Sequence, residues 1–216
     1  MTSESRTETI ARAKKIIRLL KKHYPSAKCS LEFKTVHQLM VATILSAQCT
    51  DERVNQVTKS LFQKYESVQD FADADLQQLG KDVYATGFHN NKARSIKHSA
   101  QQLLENHGGR IPRRLEELVR LPGVGRKTAS VILGTGFGLA EGIVVDTHVA
   151  RVSGRLALTD QKDPLKIEKE LMKIISGKDW IIYAHLLIYH GRAVCQSRRP
   201  DCAHCFLNRL CPSSNV

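Results

Sequence analysis

Residues 121–129 read Leu-Pro-Gly-Val-Gly-Arg-Lys-Thr-Ala, and this stretch decides the fold. It follows a short predicted helix whose first turn suits Pro112, and it opens a second helix predicted over residues 127–134. Gly123 and Gly125 permit backbone geometry that other residues avoid, and they let a phosphate approach the main chain. The first amides of the second helix point outward with the helix dipole behind them. The sequence therefore predicts two helices joined by a tight hairpin that binds an anion.

The rest of the chain is predicted to be helical nearly throughout. Apolar side chains recur with a helical period from about residue 8 to residue 23, and Pro25 ends that helix. Strand signals are thin, because the two β-branched runs lie inside or beside helical patterns. Further helices are predicted at residues 36–46, 52–64, 68–74, 91–106, 146–156, 164–175 and 180–190.

The charge of the chain favours a nucleic acid partner. Lys and Arg total 33 against 21 Asp and Glu, which gives a formal net charge of +12 and a pI near 9.6. An excess of this size attracts polyanions, although the charge is spread along the chain rather than gathered in a tail. No apolar run approaches the ~20 residues that span a bilayer, and the N-terminus has no apolar signal segment. We expect no membrane association and a cytoplasmic location, at the nucleoid if the source is bacterial.

Four cysteines close together mark a metal centre near the C-terminus. Cys195, Cys202, Cys205 and Cys211 have the spacing C-x6-C-x2-C-x5-C. So short a loop can fold around one centre at little entropic cost, and thiolates are the ligands. The C-x2-C pair also suits tetrahedral zinc, so the spacing alone does not decide between zinc and an iron–sulfur cluster. Disulfides are less favoured, because nothing indicates a secreted protein.

The hairpin and the cysteine loop together resemble the endonuclease III family of DNA repair glycosylases. Three further segments match the family in the expected order. Ser-Ala-Gln-Cys-Thr-Asp at 46–51 resembles its S-A-Q-x-T-D segment, Gly-Phe-His-Asn-Asn-Lys-Ala at 87–93 resembles its G-[LFY]-x-x-x-K-A loop, and Val-Asp-Thr-His at 145–148 resembles its V-D-T-H signature. The resemblance spans residues 46–211, and it implies a [4Fe-4S] cluster held by the four cysteines.

The resemblance also implies an architecture that periodicity alone does not give. It predicts an all-α fold of two helical lobes with a DNA cleft between them. One lobe is a six-helix barrel domain at residues 29–139, with the helix-hairpin-helix at about 113–134. The other is the iron–sulfur cluster domain, made from residues 1–28 and 140–216.

Lys127 and Asp146 are the catalytic residues that the resemblance implies. A protonated lysine, with an ordinary pKa of ~10.4, is a poor nucleophile, but a helix N-terminus and partial burial in a cleft lower the pKa. The free amine attacks C1′ of the deoxyribose, displaces the damaged base and forms a Schiff base, and β-elimination follows. The carboxylate of Asp146 helps to deprotonate the amine and offsets charge developing on the sugar. The plainer interpretations are a phosphate contact for Lys127 and a helix N-cap for Asp146.

The remaining candidate residues contact DNA. A glycosylase must extrude its base, so Gln48 is expected to fill the gap and Phe88 to wedge against the opposite strand. Their plainer interpretations are a polar helix end and a core phenylalanine. Phosphate contacts, which carry no base identity, are expected from the backbone of the hairpin and from three arginines near the cysteine loop. These residues are Gly123, Val124, Gly125, Arg192, Arg198 and Arg199.

The resemblance implies a bifunctional DNA glycosylase/AP lyase of base excision repair. It would act as a monomer on double-stranded DNA, excise oxidised pyrimidines and cleave 3′ to the abasic site. An adenine glycosylase is disfavoured, because the hairpin carries Lys127, no acidic residue lies between Phe33 and Thr50, and only five residues follow Cys211. A thymine-mismatch glycosylase is disfavoured because it lacks the hairpin lysine. A DNA-binding scaffold without turnover stays open, although Lys127 and Asp146 argue against it.

Overall fold

The structure is a computed structural model that describes residues 4–216. Residues 1–3, which begin the predicted cluster domain, lie outside the described residues. Over the described part the chain forms α-helices, three short 3-10 segments and one π-helical segment, with no strand, and the predicted all-α fold is confirmed. No helix within residues 4–216 is long and apolar enough to cross a membrane. The α-helices are α1 Arg6–His23, α2 Val36–Leu45, α3 Asp51–Lys64, α4 Val68–Asp73, α5 Leu76–Asp82, α6 His89–His107, α7 Leu115–Leu118, α8 Arg126–Val131, α9 Thr147–Arg155, α10 Pro164–Ile174 and α11 Trp180–Ala193.

Side-chain caps explain where many of these helices begin. Ser5 and Glu8 form a reciprocal capping box at the start of α1. At six further helices a Ser, Thr or Asp side chain accepts a backbone N–H of the first turn, which satisfies one of the unpaired donors there. These residues are Thr35, Thr50, Ser67, Asp75, Asp146 and Asp163.

The described residues form two compact units by their internal contacts. One unit is Cys29–Leu139, and the other joins Ala140–Val216 to the N-terminal segment that ends at Lys28. In the first unit the long helix α6 packs against α2, α4 and α5 and buries Ala93, Ile96, Ala100 and Leu103. In the second unit α1, α9, α10 and α11 enclose an apolar core that includes Ile16, Leu20, Val152, Leu171 and Leu187.

The structure corrects the prediction around the hairpin in two places. Pro112 does not lie in the first turn of α7, because Arg114 has extended backbone angles and the helix begins only at Leu115. The predicted helix over residues 127–134 is also not a uniform α-helix, since α8 ends at Val131 and Ile132–Gly136 is π-helical. Gly136 brings this segment close to α2, because a Cβ at Gly136 would lie 2.8 Å from a methyl of Val36.

Candidate active site and metal centre

The hairpin packs against α6 at Ser95 and Ser99. Ser99 donates its hydroxyl to the carbonyl of Pro122 at 2.6 Å. Gly123 has a φ of +75°, and a Cβ there would lie 2.7 Å from the Cβ of Ser95. The positive φ and the close approach both require glycine at this position. The amide of Val124 then donates to the carbonyl of Leu121 at 3.0 Å, which closes the turn.

Gly125 is the N-cap of α8 and is exposed. Its backbone is extended, with φ −81° and ψ 173°, and no side chain caps the first turn of α8. A Cβ at Gly125 would meet no heavy atom within 4 Å. Gly125 offers no side chain to cap the first amides of α8, and space is open in front of it for an anion such as a phosphate. Val124, in contrast, is only 3% exposed, so any contribution of Val124 to DNA binding comes from its backbone.

Lys127 is the second residue of α8, in the unit Cys29–Leu139. Its side chain is exposed, whereas the sequence predicted partial burial in a cleft. The reason lies in the helix, because α8 directs Ala129 and the following Ile132 into the core and leaves its first turn toward solvent. The amine is therefore accessible to a ligand.

Asp146 is held at the start of α9 by its own hydrogen bonds. Its Oδ1 accepts the backbone N–H of Val149 at 2.8 Å, which confirms that it caps the helix. Its Oδ2 lies 3.3 Å from Nδ1 of His148. Burial lowers the pKa of His185, and the negative charge of Asp146 opposes this shift. The carboxylate is fixed in direction and remains half-buried, in the unit that contains Ala140–Val216.

Gln48 and Phe88 share an uncommon backbone conformation. Their φ angles are +54° and +50°, in the left-handed region that residues other than glycine seldom occupy. Both residues are exposed, Phe88 to 64%, which excludes the plainer interpretation of a core phenylalanine. Strained residues at exposed loop positions are typical of functional sites.

The four cysteines of the loop line one cavity. Cys195, Cys202, Cys205 and Cys211 surround a space of about 50 Å³, several times the room that one water needs. All six cysteines of the chain lie within the described residues and are free of disulfides. Within residues 4–216, no three His, Cys, Asp or Glu side chains are gathered to ligate one metal ion. The thiols are thus grouped around a cavity rather than converged on a point.

Helices α9 and α11 supply hydrogen bonds to this loop. Arg155 donates to Sγ of Cys195 at 3.3 Å and to the carbonyls of residues 196 and 197 at 2.7 Å each. His190 has its Nε2 3.6 Å from Sγ of Cys205, and its Nδ1 lies 3.1 Å from the hydroxyl of Tyr24. Burial raises the pKa of Cys205, and the neighbouring cysteines act in the same direction. A cationic centre among the four thiols would offset both effects.

Arg192, Arg198 and Arg199 are all exposed on and beside the cysteine loop. Their exposure agrees with either a solvated loop or a surface that binds phosphate.

The sequence comparisons now identify the family. Residues 41–176 match the HhH-GPD superfamily, described as base excision DNA repair protein. An endonuclease III of Synechocystis sp. is 51% identical over 205 residues, which cover 95% of this chain and 94% of the relative. The chain belongs to the endonuclease III family.

Solved structures of endonuclease III agree with this assignment. A non-covalent complex of an endonuclease III with DNA is 41% identical, with a TM-score of 0.89, and covers 95% of this chain and 96% of its own. A trapped covalent intermediate of an endonuclease III with DNA, an estranged-adenine complex, is 40% identical, with a TM-score of 0.88 over the same shares of the two chains.

The sequence did not assign roles to the residues that support this endonuclease III cysteine loop. Arg151 donates to the carbonyl of Cys195 at 3.2 Å and Arg155 binds the residues that follow, whereas His190 lies against Cys205. One signal was available, because Arg151 and Arg155 are four residues apart and so share a face of α9. Nothing in the sequence placed that face against the cysteine loop.

Proposed function

We propose that this chain is a bifunctional DNA glycosylase/AP lyase of base excision repair that acts on oxidised pyrimidines in duplex DNA. The observation that carries the proposal is Lys127, an accessible amine two residues after the open anion site at Gly125. The trapped covalent complex of a 40% identical endonuclease III with DNA supports covalent chemistry. The choice of oxidised pyrimidines rests on the family resemblance.

Lys127 is the nucleophile in this proposal. It lies in the first turn of α8 with its side chain exposed, so the amine is accessible to the sugar of a bound duplex. The amine attacks C1′ and the bond to the damaged base breaks, so the base leaves with the electron pair and is protonated. The C1′–O4′ bond of the sugar ring then breaks as the lysine nitrogen forms the C1′=N bond, and O4′ takes up a proton, which gives the Schiff base. The Schiff base acidifies C2′, and loss of that proton expels the 3′ phosphate by β-elimination.

Asp146 supplies the carboxylate of the reaction. Its Oδ1 accepts the N–H of Val149 in the cap of α9, and its Oδ2 lies 3.3 Å from Nδ1 of His148. The carboxylate therefore keeps one oxygen that can accept a proton or stabilise positive charge on the sugar. The cap and the catalytic role are compatible, because the cap fixes the direction of the side chain.

The DNA-binding residues divide by task. Gly123, Val124 and Gly125 form the phosphate site of the hairpin, and Arg192, Arg198 and Arg199 contact the backbone elsewhere. Gln48 fills the space left by the extruded base, and Phe88 is the apolar wedge against the opposite strand. These residues position DNA and do not identify the lesion.

A [4Fe-4S] cluster is the centre that we propose for the cysteine loop. A tetrahedral zinc ion with Zn–S bonds of about 2.3 Å would draw its ligands to a single point. A cubane takes one thiolate at each of four iron corners, so four thiols around a cavity fit it better. The cluster would fold the loop into a DNA-binding surface. The unit with Ala140–Val216 is then the cluster domain, the unit Cys29–Leu139 is the helix-hairpin-helix barrel, and the enzyme acts as a cytoplasmic monomer.

A nicking assay tests this function. Labelled duplexes carrying one thymine glycol or one preformed abasic site are incubated with the enzyme and analysed with and without alkali. Cleavage of both duplexes without alkali is expected. Cleavage of the lesion duplex only after alkali would contradict the lyase assignment, and no product from either duplex would leave a DNA-binding scaffold.

A further inference from the structure

Lys92 is a buried lysine that the proposed chemistry does not use. It lies in the first turn of α6 and is 5% exposed. Its Nζ donates to the carbonyl of Leu45 at 2.8 Å and to the carbonyl of Thr86 at 2.7 Å. A buried ammonium is costly unless it is hydrogen-bonded, and these two carbonyls supply the compensation.

The two carbonyls belong to the ends of two separate segments. Leu45 is the last residue of α2, and Thr86 is the last residue of the 3-10 segment Tyr84–Thr86. Carbonyls at helix ends have no intrahelical partner, so a buried cation is favourable at both. The side chain of Lys92 thus links the C-terminal end of α2 to the C-terminal end of the 3-10 segment, which are far apart in sequence.

Each of these ends leads directly into a strained, exposed residue. Gln48 follows Leu45 by three residues, and Phe88 follows Thr86 by two. Both have positive φ, a conformation that is unfavourable for a non-glycine residue and persists only when its surroundings impose it. The bonds of Lys92 to the preceding residues are part of those surroundings.

We propose that Lys92 is a positioning residue that fixes Gln48 and Phe88 relative to each other, so that both enter the duplex at one base pair. The inference rests on the proposed function, in which these two side chains replace and flank an extruded base. Lys92 is buried and its amine is bonded to two backbone carbonyls, so we assign it no contact with the substrate. It acts through the ends of α2 and of the 3-10 segment, and its loss lets the two loops move independently.

The experiment compares Lys92→Met with a matched control on the same helix. Lys97 also donates its Nζ to a helix-end carbonyl, that of Ala74, at 2.6 Å, but this carbonyl leads into neither Gln48 nor Phe88. Single-turnover rates are measured at saturating enzyme on a thymine glycol duplex, where a base must be extruded, and on a preformed abasic site. For Lys92→Met we expect a loss of about 10- to 100-fold in base excision, and a change below about threefold at the abasic site. Lys97→Met is expected to change both rates by less than about threefold.

The outcomes separate this inference from the proposed function. A wild-type enzyme without activity on either duplex refutes the proposed function. With an active wild type, equal losses on both duplexes, or no loss, for Lys92→Met overturn the positioning role. A 2-aminopurine base opposite the lesion adds a readout that a general loss of stability would not move, because its fluorescence rises only when the pair is opened. If Lys92→Met does not fold, Lys92→Arg carries the same comparison, since its planar fork displaces the two carbonyls and is expected to give the same substrate-dependent loss.

Discussion

The two hairpin glycines provide a matched pair of substitutions with different expected effects. Gly123→Ala places a methyl group 2.7 Å from the Cβ of Ser95 and 3.0 Å from its Oγ, at a φ of +75°. Gly125→Ala places the same group where no heavy atom lies within 4 Å, at a φ of −81°. The first change therefore damages the hairpin, and the second changes only the surface that faces an anion.

The magnitudes follow from these contacts. At Gly123 the left-handed conformation costs alanine about 1–2 kcal/mol, and relief of the overlap with a Cβ fixed on α6 adds about 1–3 kcal/mol. We expect the free energy of unfolding to fall by about 2–5 kcal/mol. At Gly125 the ordinary conformation lets alanine restrict the unfolded chain, but glycine is the better N-cap, so these opposing effects leave the free energy of unfolding within about 1 kcal/mol of wild type.

Urea unfolding and DNA binding measure the two effects separately. Circular dichroism is the suitable probe, because the single tryptophan, Trp180, lies in α11 and not in the unit of the hairpin. Binding to a duplex with an abasic-site analogue is followed by fluorescence anisotropy. Gly125→Ala should bind more weakly at a stability close to that of wild type, since its methyl group occupies the approach of the phosphate. Equal destabilisation by both substitutions, or a Gly123→Ala protein within about 0.5 kcal/mol of wild type, would refute the reasoning.

Further predictions concern acid stability and the metal centre. His37 packs edge-on against Phe71, has no hydrogen-bond partner for Nε2 among the described residues, and burial lowers its pKa to about 4. Its neutral form therefore contributes stability that is fully present above pH ~6.5 and is lost as the pH falls to about 4, a total of about 3 kcal/mol. We expect His37→Phe to remove this component, and urea titrations of both proteins between pH 7 and 4 check it: parallel curves would contradict the assignment. Cys202→Ser should abolish the yellow-brown absorbance of a thiolate-ligated iron cluster and lower the thermal unfolding midpoint, and iron analysis that still finds four irons per chain would contradict the ligand set.

Much of the fold can be predicted from the sequence, because a capping residue marks the N-terminus of many helices. Thr35, Ser67 and Asp163 are typical caps that precede apolar periods, and the helices after them begin where the pattern predicts. Helix α5 was not predicted, because its seven residues include Gly80 and few apolar side chains. Its stability comes from packing against α6, which no local pattern reports.

The candidate site likewise has features that the local sequence predicts and features that depend on tertiary packing. The cysteine spacing predicted the cysteine loop and the sequence of residues 121–129 predicted the hairpin, because both features depend on short-range geometry. The contact of Lys92 with the carbonyl of Leu45, 47 residues away, and the bonds of Arg155 to the cysteine loop depend on tertiary packing. Lys127 was expected to be partly buried and is exposed, because the burial of a side chain depends on the residues packed around it and not on the motif that contains it.

Borohydride trapping tests the central claim, the covalent role of Lys127, most directly. The enzyme is incubated with a thymine glycol duplex and sodium borohydride, beside Lys127→Ala and Lys127→Arg. The arginine variant keeps the positive charge that a mere phosphate contact needs, but it cannot form a Schiff base. We predict a stable protein–DNA adduct with wild type alone, while Lys127→Arg still binds the duplex. An adduct of equal yield with Lys127→Arg would contradict the account, because another residue would then be the nucleophile.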